Sequence, residues 1–289
     1  MSTATGDAKA SGTFSLGGDL PIHRLGYGAM RLTGKGIWGE PADPEVAKKV
    51  LRRAVELGVN FFDTADSYGP DVSERLIGEA LSPYAEGVVI ATKAGLTRQG
   101  PDKWLPVGRP EYLQQQVEMS LRRLKLERIE LWQLHRIDSK VPLEESLGVI
   151  KKLQTEGKIR HVGLSEVKPH EIDKARRIID IVSVQNQYNI GYRRHEDVVD
   201  YCDKHNIGFI PWFPVAAGKL AQPGGRLDAA AKRHGATVSQ LSLAWLLQRS
   251  PVMLPIPGTS SVEHLEENVA AAGVTLSDAE WKEIEDSAT

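Results

Sequence analysis

Three ionisable residues stand where apolar runs end: Asp63 after "VNFF", Lys93 after "VVIAT" and His135 after "ELWQL". A tyrosine, Tyr68, follows Asp63 just before the break at Gly69-Pro70. Each alone has an ordinary explanation. Asp63 could cap the next turn, Tyr68 could be a packed loop aromatic, Lys93 could snorkel to solvent, and His135 could be a satisfied core histidine. Jointly those explanations weaken, because burying such groups is costly unless they are paired. The set also has a shared chemistry. A free phenol titrates near pH ~10, too high for easy proton transfer at neutral pH. An ammonium beside its hydroxyl stabilises phenolate, and a carboxylate keeps that ammonium charged and in place. Asp63–Lys93–Tyr68 therefore reads as a relay ending in a tuned proton donor. His135 can hydrogen-bond a carbonyl oxygen and orient it toward that donor. The sequence offers no Cys or Ser in a strained elbow and no metal-spaced His/Cys/Asp cluster. A general acid without a nucleophile points to a cofactor that brings the reactive species, a hydride.

These residues converge only if the intervening elements carry them to one place. "TFSLGGDLPIHRLG" predicts a hairpin turning at Gly17-Gly18-Asp19. Strand and helix patterns then alternate. "RLGYGAM", "VNFFD", "GVVIATK", "RIELWQLH", "IRHVGLS", "IDIVSVQNQYN", "IGFIPWFP" and "VMLPIPG" read as strands. Helical patterns separate them. In "DPEVAKKVLRRAVELG" Asp43 is the N-cap, Pro44 is N1, Gly58 is the stop, and Val46, Val50, Leu51 and Ala54 share a face. Strict alternation implies parallel strands, since each crossover needs a helix. Eight units over this length match an α/β fold of the (β/α)8 TIM-barrel kind, with an N-terminal hairpin and an extra C-terminal helix, "SDAEWKEIEDS". The competing doubly wound sheet would carry G-x-G-x-x-G after its first strand, and "LGYGAMRLTGKG" lacks that spacing at a helix start. In a barrel, Asp63, Tyr68, Lys93 and His135 all fall on the C-terminal rim.

The bulk properties narrow the class. The 289 residues carry a net charge of −2 and no dense basic run, so nucleic acid is not an expected partner. The single cysteine, Cys202, cannot form an intramolecular disulfide, which fits a reducing compartment. Residues 1–10, "MSTATGDAKA", read as a disordered tail without a signal-peptide core, and 11–289 as one domain. No apolar run is long enough to span a membrane, so the expectation is a cytoplasmic protein.

Six motifs in order, "LGYGAMRLTG", "GVNFFDTADSYG", "VIATKAG", "LWQLHRID", "GKIRHVGLSE" and "PIPGTSSVEHLEENVAA", resemble those of the aldo-keto reductases over nearly the whole chain. The opening is most similar to bacterial members that include pyridoxal reductases. The resemblance implies the (β/α)8 fold, NADPH without a dinucleotide fingerprint, reduction of aldehydes or ketones, and a catalytic tetrad of Asp63, Tyr68, Lys93 and His135. It places Ser165, Glu166 and Gln185 near the nicotinamide amide and Trp212 against its ring. Asp63, Gly28, Ala29 and Met30 fall on further cofactor-contacting positions. Phe213, Pro214 and Gly218, Lys219 and Leu220 match the loop that covers the pyrophosphate. Gly258, Thr259, Ser260, His264, Glu267 and Asn268 match the segment that holds the adenosine 2′-phosphate and adenine, where a helix N-terminus suits an anion. Trp38 and Trp104, with Met30, are the expected substrate-pocket residues, and no metal is implied. Two positions depart from the common pattern. Glu166 stands where many relatives have asparagine, and Gly258 and His264 where many have a basic residue; neutral histidine is a weaker phosphate partner than arginine. Some proteins of this fold are cofactor-sensing subunits with little turnover, and that reading stays open beside the enzyme.

Overall fold

The chain opens by burying one face of a small ribbon. The computed structural model describes residues 6–215 and 226–288. Strands β1 (Thr13–Leu16) and β2 (Leu20–His23) pair antiparallel, with Leu16 opposite Leu20. Phe14, Leu16, Leu20 and Ile22 are buried and Thr13, Ser15 and Pro21 are exposed, the period-2 alternation the sequence predicts. The turn needs positive φ, and Gly17 and Gly18 supply it at 62° and 84°. Asp19 in the turn accepts from Arg160 (2.8 Å) and bonds His161 (2.7 Å).

The alternating part follows in chain order. β3 (Tyr27–Gly28), α1 (Pro44–Glu56), β4 (Phe61–Asp63), α2 (Val72–Leu81) and β5 (Val89–Ala94) come first. A second ribbon of β6 (Leu96–Arg98) and β7 (Trp104–Pro106) then precedes α3 (Pro110–Leu124), β8 (Ile129–Leu134) and α4 (Leu143–Thr155). β9 (Ile159–Ser165), α5 (Pro169–Arg176), β10 (Ser183–Gln185), α6 (Glu196–His205) and β11 (Gly208–Phe209) complete the strands. Helices α7 (Arg226–Arg233), α8 (Val238–Arg249), α9 (Val262–Ala270) and α10 (Asp278–Ala288) end the chain. β11, β10, β9, β8, β5, β4 and β3 form one parallel sheet in that order. This α/β architecture is that of the (β/α)8 fold.

The eighth strand is where the sequence reading needs correction. "VMLPIPG" forms no regular strand; it makes one bridge, Met253 to Phe209. Pro251, Pro255 and Pro257 have no N–H to donate to a ladder. The segment still links both sheet ends, donating once, from Leu254 N to Phe209 O (2.8 Å), and otherwise accepting. Phe209 N donates to Val252 O (2.8 Å) on one side, and Gly26 N to Pro255 O (2.9 Å) and Gly28 N to Pro257 O (3.4 Å) on the other. The first ribbon packs against this region. A β-carbon on Gly208 would lie 2.8 Å from the end of the Leu254 side chain and 2.9 Å from that of Leu16, so the ribbon packs closely on the start of β11. Because Arg160 and His161 lie at the start of β9, the ribbon covers the strands' N-terminal ends and leaves the other rim open.

Three further differences have local causes. The expected disordered tail gives way from residue 6. Ala8–Ser11 is a 3-10 turn capped by the Asp7 carboxylate, and Ala8 is buried and donates its N–H to Leu57 O (2.9 Å). Val46 of α1 is 44% exposed, and Ala47 takes its place on the buried face with Val50, Leu51 and Ala54; the Asp43 cap and Pro44 at N1 stand as read. Between β5 and α3, where the sequence shows no strand pattern, the chain forms the β6–β7 ribbon.

Candidate active site

Parallel strands deliver their last side chains to one rim, and five of those chains meet there. Asp63 ends β4, Lys93 lies near the end of β5, His135 follows β8, Ser165 ends β9 and Gln185 ends β10. Lys93 is fully buried and Asp63 almost so. The Lys93 ammonium donates to Asp63 Oδ2 at 2.6 Å and to Thr64 O at 2.7 Å, which leaves one N–H uncommitted. Asp63 Oδ1 accepts from Gln185 Nε2 (2.8 Å) and Gln133 Nε2 (3.1 Å). Each buried charge thus has an opposite charge and further hydrogen-bond partners, the condition for a buried pair to persist. Gln133 was not singled out in the sequence; an inward glutamine in an apolar strand has no distinguishing pattern.

Tyr68 is carried to this pair by the loop after β4. Lys93 Nζ lies 5.2 Å from the Tyr68 ring centroid. The Tyr68 ring meets His135 edge-on at 5.8 Å and Trp104 edge-on at 6.3 Å, and Trp104 meets His135 at 6.3 Å. His135 Nδ1 is 3.3 Å from Ser67 Oγ. The three rings make an aromatic wall whose mount is Arg98, a residue sequence reasoning missed. Its guanidinium lies 3.6 Å from the Trp104 ring centre and 5.7 Å from that of Trp38. It also donates to the carbonyls of Ile37 (2.6 Å), Ser67 (2.9 Å) and Gly36 (2.9 Å). One cation therefore ties the 34–40 loop, the loop of Tyr68 and the β6–β7 ribbon together. The structure brings both tryptophans to this rim, Trp104 against Tyr68 and Trp38 outside it and 37% exposed.

The electrostatics correct one expectation. The Tyr68 phenol is not acidified in this structure. Burial pushes it well above its ordinary range, Asp63 adds to that, and Arg136 and Arg98 oppose it. Lys93 Nζ gives two of its hydrogen bonds to Asp63 and Thr64, and Asp63 balances its charge, so the ammonium does not outweigh burial at the resting phenol. Burial also pulls the Lys93 ammonium down, with Asp63 the main opposing influence. Burial, then the cations Lys93, Arg136 and Arg98, hold His135 well below its usual value, so its imidazole is neutral at pH 7. The result is a protonated phenol and a neutral imidazole side by side.

The neighbouring positions form a second group. Ser165 Oγ accepts from Arg136 (3.0 Å), which also holds His135 O (2.6 Å). Gln185 spends its amide N–H on Asp63 and Gln133, while its Oε1 accepts nothing among the described residues. Glu166 has φ of 55°, and its Oε1 accepts from Trp212 Nε1 (2.7 Å) and Gln187 N (2.8 Å). This carboxylate thus fixes the half-buried Trp212 ring through one oxygen; His195 lies 3.9 Å from the other. Phe213 is 43% exposed beside Trp212 and Pro214 is buried. Gly218, Lys219 and Leu220 lie outside the described residues.

The remaining positions flank the β3 end. Tyr27 OH donates to Thr259 O (2.5 Å), and Ser73 Oγ to Ala29 O (3.1 Å). Gly28, Ala29 and Met30 are thereby held against Gly258, Thr259 and Ser260, and Met30 and 258–260 border a cavity of about 540 Å³. Ser261 caps α9 through His264 N (3.3 Å), with His264 exposed. Glu267 is engaged by Thr237 Oγ1 (2.6 Å), and Asn268 is buried. Among the described residues no group of three or more His, Cys, Asp or Glu could hold a metal, and no helix is long and apolar enough to cross a membrane.

A parallel α/β barrel whose rim carries a buried lysine–aspartate pair beside a tyrosine and a histidine defines an oxidoreductase class. The chain belongs to the aldo/keto reductase family, whose profile matches residues 24–289. An uncharacterized oxidoreductase of Schizosaccharomyces pombe is 53% identical over 280 residues, 97% of this chain and 91% of the relative. Pyridoxine 4-dehydrogenase of Escherichia coli is 44% identical over 275 residues, 93% of this chain and 96% of the relative. The solved structure of an aldo-keto reductase from Klebsiella pneumoniae in complex with NADPH superposes with a TM-score of 0.81 at 27% identity, covering 95% of this chain and 94% of that one.

Proposed function

We propose that this chain reduces aldehydes or ketones to alcohols with NADPH, and that Tyr68 donates the proton. The observation that carries the reading is the buried Asp63–Lys93 pair set against the Tyr68 ring, with His135 edge-on to the same ring. The donor chemistry of the rim fits the cofactor. Gln185 Oε1 can accept from a carboxamide NH2 and the Ser165 hydroxyl can donate to its oxygen. Trp212, fixed by Glu166, offers a ring face to a flat heterocycle. NADPH when bound would supply the hydride, which no side chain here can.

The protein's own part is to receive negative charge on the carbonyl oxygen. The Tyr68 O–H bond breaks as that oxygen takes the proton, and the phenolate left behind is stabilised by the free N–H of Lys93. Asp63, Gln133 and Gln185 hold that ammonium from behind, so it need not reorganise during the step. Neutral His135 donates a hydrogen bond to the same oxygen and fixes its direction. A phenol whose pKa is raised by burial remains protonated across the physiological range, as reduction requires. The wall of Trp104, Tyr68 and His135 suits flat carbonyls. With pyridoxine 4-dehydrogenase as a 44% relative, pyridoxal is the first candidate.

The test is NADPH oxidation at 340 nm across pyridoxal, aromatic aldehydes and small aliphatic carbonyls, with NADH in parallel. The reading expects turnover with at least one flat aldehyde. NADPH binding without turnover on any carbonyl would replace it with a cofactor-sensing role.

A further inference from the structure

Ser67 stands directly before Tyr68, and the only partner of its hydroxyl among the described residues is Nδ1 of His135, at 3.3 Å. Both residues are buried. Their backbones are clamped from outside the pair. Arg98 donates to Ser67 O (2.9 Å), Arg136 donates to His135 O (2.6 Å), and His135 N donates to Ala94 O (2.8 Å). Two fixed segments, the loop after β4 and the residue after β8, thus present the hydroxyl and Nδ1 to each other. His135 Nε2 has no partner among the described residues and is not sealed from solvent.

Hydrogen-bond accounting then selects a tautomer. His135 is neutral, held so by burial and then by Lys93, Arg136 and Arg98, so one nitrogen carries the only N–H of the ring. If Nδ1 carried it, Nδ1 would donate to Ser67 Oγ, and the Ser67 hydroxyl would keep an O–H without an acceptor in a buried place. If Nε2 carries it, the hydroxyl donates to the Nδ1 lone pair and both groups are satisfied. The bond made by one ring nitrogen decides the state of the other. The second arrangement puts an N–H at the open nitrogen, where a carbonyl oxygen can accept it. The first would put a lone pair there, which repels that oxygen.

We propose that Ser67 is a positioning residue: its hydroxyl donates to His135 Nδ1 and so fixes the tautomer whose Nε2–H binds the carbonyl oxygen of the substrate. This deepens the reductase reading above and rests on it. Ser67 acts through His135 and not on the substrate. Because Ser67 and Tyr68 are neighbours, one loop both carries the acid and sets the group that orients its target.

The experiment compares the full chain with Ser67→Ala. That substitution removes one oxygen and leaves in place the bond from Arg98, which goes to the main-chain carbonyl. Long-range proton–nitrogen NMR of the imidazoles at pH 7, with His135 assigned through His135→Gln, reads the tautomer without turnover. Wild type should show a protonated Nε2 and a bare, hydrogen-bonded Nδ1, and the Nδ1 resonance should move in Ser67→Ala as that bond is lost. Single-turnover oxidation of bound NADPH by a flat aldehyde should slow about five- to ten-fold in Ser67→Ala, the worth of one hydrogen bond, with the NADPH Kd unchanged. A general loosening of the site would not confine the loss to the chemical step. A protonated Nδ1 in wild type, or a Ser67→Ala rate within about two-fold of wild type, overturns this inference and leaves the reductase reading intact. Wild-type protein that oxidises NADPH with no carbonyl overturns the reductase reading, and this inference with it, whichever tautomer is seen.

Discussion

Replacing Lys93 by methionine keeps most of the side chain's volume and removes its charge. Asp63 would then keep two amide donors, Gln133 and Gln185, and lose the counter-charge that sits at 2.6 Å. Both groups are essentially without solvent contact. Breaking a buried pair by removing one partner typically costs ~3–5 kcal/mol. Thr64 O also loses a donor at 2.7 Å, a loss of ~1 kcal/mol. The expected destabilisation of Lys93→Met is therefore about 5 kcal/mol, or a melting-temperature fall on the order of 10 °C for a chain of this length. Urea unfolding at pH 7, followed by circular dichroism, should show a lower midpoint with an unchanged m-value. The companion variant Asp63→Asn retains an oxygen for the two glutamine amides and removes the charge. The double variant Asp63→Asn/Lys93→Met should therefore recover at least half of the loss, giving a large coupling in the cycle. If Lys93→Met lies within about 1 kcal/mol of wild type, or if the double variant loses the sum of the singles, the pair is not the buried, mutually dependent unit described.

Three further outcomes follow from the same geometry. His135 is held neutral by burial and nearby cations, so its folded pKa lies below the unfolded one; the stability this contributes is full above about pH 6.5 and is lost as pH falls toward the folded value. His135→Gln should therefore flatten the fall in urea stability between pH 7 and 5, by at most ~1.4 kcal/mol per pH unit, and an unchanged slope would contradict the assignment. Because burial raises the Tyr68 phenol, the ultraviolet difference titration between wild type and Tyr68→Phe should show no phenolate from this residue below its ordinary value of 10.0; phenolate at neutral pH would restore the acidified tyrosine the sequence suggests. Arg98→Lys loses the stacked guanidinium under Trp104 and the fork onto three carbonyls, so KM for an aromatic aldehyde should rise roughly 3- to 30-fold with kcat and KM for a small aliphatic aldehyde little changed; equal losses on both substrates would mean Arg98 does not act through the aromatic wall.

Much of the fold was legible because alternation and caps carry it. Asp43-Pro44 starts α1, Gly235 at φ 59° separates α7 from α8, and strand ends deliver Asp63, Lys93 and His135 to one rim. What failed was whatever depends on a partner distant in sequence. "VMLPIPG" has the apolar content of a strand, but its prolines can only accept hydrogen bonds, so it closes the sheet without forming a ladder. Val46 satisfies the helical period and still faces solvent. The phenol's direction of shift was misjudged because the burial of Tyr68, which no sequence pattern shows, outweighs a neighbouring ammonium already balanced by Asp63. Arg98, Gln133 and Arg136 carry no distinguishing sequence pattern, and only the three-dimensional packing gives them partners.

The central claim is that the Tyr68 hydroxyl, backed by a buried ammonium, protonates a carbonyl at this rim. Single-turnover oxidation of bound NADPH by a flat aldehyde, in wild type and Tyr68→Phe, tests it most directly. The account predicts a fall of about 10²- to 10⁴-fold in rate with the NADPH Kd unchanged. A phenylalanine variant that reacts within two-fold of wild type would contradict it.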